Sequence, residues 1–167
     1  ETKNPSTSAT AKVVVEPGTM QGIELYEIEP GLDEFFSLGD TIEIKGMLGA
    51  PAKDTMKLYF YLTGPNLNAN GVKPSNPRIP VVDGDNSTFD FITLSKDQSE
   101  FIYPWDTSAA ASLEPGTYTI FATLDPVGYN QRELSETGTK DYVVIDLNDP
   151  SINVMFPKEA PGFFAQG

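Results

Sequence analysis

Two amino-acid types are missing from this chain: it has no cysteine and no histidine. Without cysteine there is no disulfide to staple the fold and no thiolate nucleophile. Without histidine a Ser-His-Asp triad is excluded. The two absences together remove every zinc, copper or haem site ligated by His or Cys from within the chain. Positive charge is scarce as well: 11 Lys and Arg stand against 24 Asp and Glu, a net charge of −13. Phosphate binding needs clustered basic residues, so nucleic acid is not an expected partner, and an anionic membrane surface is disfavoured for the same reason. No apolar run approaches the ~20 residues that cross a bilayer as a helix, so no membrane insertion is expected of this sequence. Long helices are also unsupported, because no stretch of about 11 residues keeps an apolar period near 3.6. The polar opening Glu1-Thr2-Lys3-Asn4-Pro5 shows no signal peptide, and it fits a mature terminus after leader removal and equally an arbitrary boundary of the sequence.

What is present is strand and turn chemistry. Gly and Pro number 14 each in 167 residues, natural for a turn-rich chain. The run Thr41-Ile42-Glu43-Ile44-Lys45 alternates polar and apolar residues, the period-two pattern of a half-buried strand. Residues 56–63 (MKLYFYLT) are the strongest strand, with Leu58, Phe60 and Leu62 on one face and Tyr59, Tyr61 and Thr63 on the other. Further strands are expected at residues 11–15, 23–28, 78–82, 88–92, 101–105 (ending near Pro104), 117–124, 140–147 and 151–156. Pro80 makes the 78–82 strand an edge. The predicted fold is all-β: an antiparallel two-sheet sandwich, immunoglobulin-like, with extended amino- and carboxy-terminal arms. Its parts are a leader and arm over 1–22, a sandwich over 23–150, and a terminal strand and tail over 151–167.

Four segments carry further character: Gly39-Asp40-Thr41-Ile42-Glu43-Ile44-Lys45-Gly46, the 58–72 strand and loop, Tyr103-Pro104-Trp105-Asp106-Thr107, and Glu114-Pro115-Gly116-Thr117-Tyr118. In this order they resemble the repeated domains of surface-layer and sheath-type cell-envelope proteins of methanogenic archaea, over roughly residues 39–156. The tail Ala160-Pro161-Gly162-Phe163-Phe164 is similar to the Pro-Gly-Phe signature before a carboxy-terminal anchor in some archaeal surface proteins, but no apolar helix or basic tail follows it. The resemblance implies an envelope-building role outside the cell and implies no catalytic residues.

Candidate sites are few. Asp83, Asp85 and Asn86 place several oxygen donors on one turn, the hard ligands that calcium takes. The spacing is not that of an EF-hand, and Asp-Gly is also common hairpin-turn chemistry, so the plainer reading is a turn. Asp146, Asn148 and Asp149 form a second acidic group, and Asp33 with Glu34 a third. Asn86-Ser87-Thr88 is a glycosylation sequon at Asn86. Acid pairs such as Asp90/Asp97 have the groups for glycoside hydrolysis, but nothing in the sequence marks one with the divided roles that chemistry needs. Trp105, the sole tryptophan, reads as a core aromatic or as a sugar-stacking platform.

The arms bear alternating apolar residues, Val13 and Val15 at one end, Ile152, Val154 and Phe156 at the other. Such segments suit addition to a neighbour's sheet, and a head-to-tail contact of that kind builds tubes or filaments. The expected function is therefore structural and not enzymatic: an extracellular, self-assembling envelope subunit whose partners are copies of itself, with no cofactor beyond possible calcium. An adhesin or carbohydrate-binding module is the alternative.

Overall fold

The computed structural model describes residues 22–29, 36–108, 113–129 and 140–149 of the chain. These residues form ten strands: β1 (Ile23–Glu29), β2 (Phe36–Ser37), β3 (Thr41–Leu48), β4 (Met56–Thr63), β5 (Val72–Lys73), β6 (Asn76–Pro80), β7 (Asp90–Leu94), β8 (Glu100–Asp106), β9 (Gly116–Thr123) and β10 (Lys140–Asn148). No α-helix occurs among the described residues, and none of them forms a helix long and apolar enough to cross a membrane. The strands make two sheets. The smaller runs β1-β3-β8, and the larger runs β2-β10-β9-β4-β5-β6 with β7 also paired to β4. Every pairing is antiparallel except the short one between β2 and β10. The all-β, two-sheet sandwich expected from the alternation is the architecture observed. The arm residues Val13, Val15, Ile152, Val154 and Phe156, and the acidic pair Asp33/Glu34, lie outside the described residues.

Alternation sets which side chains meet between the sheets. On β3, Ile42, Ile44 and Leu48 are buried while Thr41, Glu43 and Lys45 are not. On β8, Phe101, Tyr103 and Trp105 point inward. They meet Leu58, Phe60 and Leu62 of β4 and Tyr118, Ile120 and Ala122 of β9 in one core. Full burial of each large apolar side chain is worth about 1.5–3 kcal/mol. Phe60 of the larger sheet stacks flat on Tyr103 of the smaller at 4.0 Å and meets Phe101 edge-on at 6.3 Å. Gly46 is required at its place: a Cβ there would stand 2.4 Å from the Phe101 ring and 2.8 Å from the Glu24 carbonyl oxygen.

β4 differs from an ordinary alternating strand because both its faces are covered. Tyr59 and Tyr61, on the face turned away from the sandwich core, are buried with Val81, Phe89 and Phe121 in a second cluster. Residues 81–89 close over that face. The strand expected at 88–92 starts later, at Asp90, because a 3-10 turn occupies Asn86–Thr88. The Asp85 carboxylate caps that turn by accepting from the Ser87 N–H.

β8 also runs past Pro104, where the sequence predicted its end. The bonds Leu48 N–H to Ser99 O (2.9 Å) and Thr107 N–H to Asp40 O (3.0 Å) fix the alternation of the ladder. Counting by twos puts Pro104, opposite Glu43, in a non-hydrogen-bonded pair. Its nitrogen therefore faces away from β3, and its missing N–H costs the sheet nothing.

The two edges of the smaller sheet are treated differently. β1 has a bulge at Tyr26, and the outward N–H of Leu25 is taken by the Asp141 carboxylate of β10 at 2.8 Å. Among the described residues β8 pairs only with β3.

Candidate functional site

Among the described residues, an opening lies where the head of β7 comes against β8. A cleft of about 300 Å³ runs there, lined among others by Lys73, Ser75, Asp90, Phe91, Pro104 and Asp106. That volume is at the small end of ligand pockets. Four consecutive β8 residues, Tyr103 to Asp106, line it. Residues from both faces of a strand line one cleft only when the cleft follows the strand's edge.

Asp90 is the node of this cleft. Its carboxylate accepts from the Ser75 N–H at 2.7 Å, the Ser75 hydroxyl at 2.6 Å and the Tyr103 hydroxyl at 3.0 Å, with the Lys73 ammonium at 3.9 Å. Burial pushes the Tyr103 phenol well above its ordinary value, and the neighbouring Asp90 charge adds to the effect. Tyr103 therefore stays protonated and acts as a donor. Asp90 ties the 73–76 turn and β7 of one sheet to β8 of the other. The second carboxylate of the cleft, Asp106, accepts from the Ser108 N–H at 2.9 Å and its hydroxyl at 2.6 Å. Both acids are engaged in holding the chain in place.

Trp105 settles between its two readings on the core side. It is 1% exposed and meets Tyr118 edge-on at 6.4 Å. Its Nε1 is buried with no acceptor among the described residues. Tyr118 closes this end of the core, its hydroxyl donating to the Glu114 carbonyl at 2.6 Å and accepting from the Glu114 N–H at 3.1 Å.

Two accessible tyrosines flank a buried phenylalanine elsewhere, on the outer face of the larger sheet. Phe121 stacks on Tyr61 at 4.7 Å and is flanked by Tyr129 at 5.8 Å and Tyr142 at 5.6 Å. Tyr142 is 58% exposed and Tyr129 46%. Lys140 borders them, donating to the Tyr61 hydroxyl at 3.0 Å and the Gly128 carbonyl at 3.2 Å. Burial lowers the Lys140 amine from its ordinary value, partly offset by the Asp83 charge, and burial raises the Tyr61 phenol. Sequence reading missed this grouping. The signal was the shared face of Tyr142 and Val144 in β10, set opposite Phe121 and Thr119 by the register.

The residues singled out for calcium fall on one turn but are turned to different tasks. Asp83 accepts from the Gly128 N–H at 2.7 Å and the Asn70 amide at 3.3 Å. Asp85 accepts from the Ser87 N–H and hydroxyl, and those bonds hold its carboxyl below the usual range. Asn86 is exposed at the start of the 3-10 turn, where a glycan has room. Asp146 accepts from the Thr117 hydroxyl at 2.6 Å, and the Asn148 amide reaches the Phe36 carbonyl at 3.5 Å. Among the described residues no three acidic side chains converge as a metal site. Asp90 and Asp97 lie beyond opposite ends of the 91–94 segment, Asp97 in a turn with φ of 67°. No known family model matches the chain, and no curated protein matches it in sequence.

Proposed function

We propose that this chain is a structural, self-associating module of an extracellular cell envelope, a subunit of a sheath, tube, filament or surface layer. The observation that carries the reading is the unequal finish of the smaller sheet: Asp141 takes an outward N–H of the β1 edge, and β8 pairs with no strand but β3 among the described residues. A bare strand edge is a template for another chain. The side chains of the adjoining cleft support the same reading, since Asp90, Ser75, Tyr103 and Asp106 are spent on fastening the fold. The resemblance of residues 39–156 to envelope domains supplies the location. The strand order also supports an immunoglobulin-like sandwich, with β1-β3-β8 facing β10-β9-β4 and a corner tyrosine, Tyr118, at the start of β9. Electron microscopy and sedimentation of the purified full chain test the proposal. Regular polymers are expected; a monomer at every concentration and salt tried would overturn it.

A binding module is the second reading, favoured by the aromatic row of Tyr129, Phe121 and Tyr142. Retention on polysaccharide columns that is lost in Tyr142→Ala would shift the balance to it.

A further inference from the structure

Three side chains of complementary chemistry, an amine, an amide and a carboxylate, meet at Gly128. The Lys140 ammonium donates to its carbonyl at 3.2 Å, and the Asp83 carboxylate accepts from its N–H at 2.7 Å. The Asn70 amide lies against its Cα: a Cβ there would stand 2.6 Å from Asn70 Cγ and Nδ2, so only a glycine leaves room. Asn70 Nδ2 donates in turn to Asp83 at 3.3 Å and to the Val81 carbonyl at 3.1 Å. Tyr61 is a second shared neighbour. Its hydroxyl accepts from Lys140 at 3.0 Å, and its ring lies against Gly71, next to Asn70, where a Cβ would come within 2.6 Å of Cδ2. Asn70 and Asp83 have interactions beyond these, so they are the fixed side of the group, and the long, flexible lysine stem is the part that can swing.

We propose that Lys140 and Asn70 join through an intramolecular isopeptide bond, with Asp83 moving the proton. An amine becomes a nucleophile where its surroundings disfavour its charge, and burial lowers Lys140 from its ordinary value. The rings of Tyr61 and Phe121, centred 5.2 and 5.9 Å from the amine, shield one side of it. The uncharged amine attacks Asn70 Cγ. The Nζ–Cγ bond forms and the Cγ–Nδ2 bond breaks. Asp83 takes a proton from the attacking nitrogen and hands it to Nδ2, with which it is already in contact. Nδ2 leaves as ammonia. One amine and one primary amide thus become one secondary amide and NH3, with no oxidant, reductant or cofactor. Holding the reactants against one residue supplies the proximity the step needs. The bond ties the start of β10 to the loop between β4 and β5 and closes residues 70–140 into a ring. In a chain without cysteine it takes the place of a disulfide, and it is indifferent to reductant. It stands independently of any association between copies.

Mass spectrometry of the intact full chain is the test. The expected mass is one ammonia, about 17 Da, below that of the unmodified chain. Lys140→Arg and Asn70→Ala should each restore the full mass. A tryptic digest of the unsubstituted chain should yield one branched peptide, joined at Asn70 and Lys140 and uncleaved after Lys140, a readout that needs no variant to fold. An unsubstituted chain at full mass would overturn the proposal. So would a deficit that persists in Lys140→Arg. Asn70 precedes Gly71 and can lose ammonia alone by closing a succinimide on the Gly71 nitrogen; hydroxylamine cleaves at that ring and leaves an isopeptide intact. Asp83→Asn keeps the size of the side chain and removes its basicity, so it should lose ammonia roughly a hundredfold more slowly. An unchanged rate in that variant would overturn the role of Asp83.

Discussion

The Asp90–Tyr103 contact joins the two sheets and can be measured by itself. Tyr103→Phe removes one hydroxyl that donates to a carboxylate at 3.0 Å. Hydrogen bonds to charged groups are worth about 1.5–3 kcal/mol net. Asp90 keeps its two bonds from Ser75, so the loss belongs at the lower end, about 1.5–2 kcal/mol. At this chain length each kcal/mol moves the melting temperature by about 2–4 °C, which gives a drop of about 3–8 °C. Asp90→Ala is harsher. It removes both bonds from the exposed Ser75 and strands the buried Tyr103 hydroxyl, at a cost of about 3–4 kcal/mol. The double variant should lose little more than Asp90→Ala alone, since removing the hydroxyl also removes a stranded donor. The expected coupling is about 1–2 kcal/mol, above the ~0.5 kcal/mol within which independent sites add. Urea unfolding followed by the fluorescence of Trp105, the sole tryptophan and fully buried, reads all four proteins. Additive losses across the cycle would refute the latch.

Tyr118→Phe deletes both bonds to Glu114 while keeping the ring; calorimetry should register a loss of about 1–3 kcal/mol, whereas Tyr142→Phe on the exposed face should leave stability unchanged. Gly46→Ala drives a methyl into Phe101 and the Glu24 carbonyl, and its unfolding midpoint should fall by about 1–3 kcal/mol equivalent. Tyr61, Tyr103 and Tyr118 are all raised from 10.0, chiefly by burial. The stability they contribute is complete below pH 10 and is lost as pH climbs toward their folded values. Near-ultraviolet titration should therefore show three of the seven tyrosines ionising only as the chain unfolds. Copies carrying −13 each repel, so added salt should raise the polymer fraction in sedimentation; a fall with salt would show that ion pairs and not main-chain bonds hold the copies together.

The strands that could be read from the residues are those in which one face is wet. β3 alternates cleanly, and its inward Ile42 and Ile44 were legible one by one, while β8 was legible as a strand without its inward residues. β4 was legible as a strand, but the burial of Tyr59 and Tyr61 was not, because their cover comes from residues 81–89. Pro104 was misjudged for a related reason. A proline ends a strand only if its nitrogen faces a partner, and that depends on the phase of a ladder set by Ser99 and Thr107. Asp90 looked like any acid in an alternating run. Its partners Ser75 and Tyr103 sit 15 and 13 positions away, and only the folding of β7 against β8 brings them to it. Trp105 left two readings open because a single aromatic has no periodicity; its burial comes from the opposing sheet.

β2 and β10 run side by side in the same direction, joined by Phe36 to Leu147 and Ser37 to Asn148, with the Leu38 N–H reaching the Asn148 carbonyl at 3.0 Å. Tension that draws the amino-terminal side of β2 one way and the carboxy-terminal side of β10 the other slides these strands along each other. Every bond of the contact is then strained at the same moment, whereas a hairpin pulled from its open end unzips one rung at a time. The patch is small, yet once β1 has come away from β3 its geometry makes it the contact that a pull along the chain must shear.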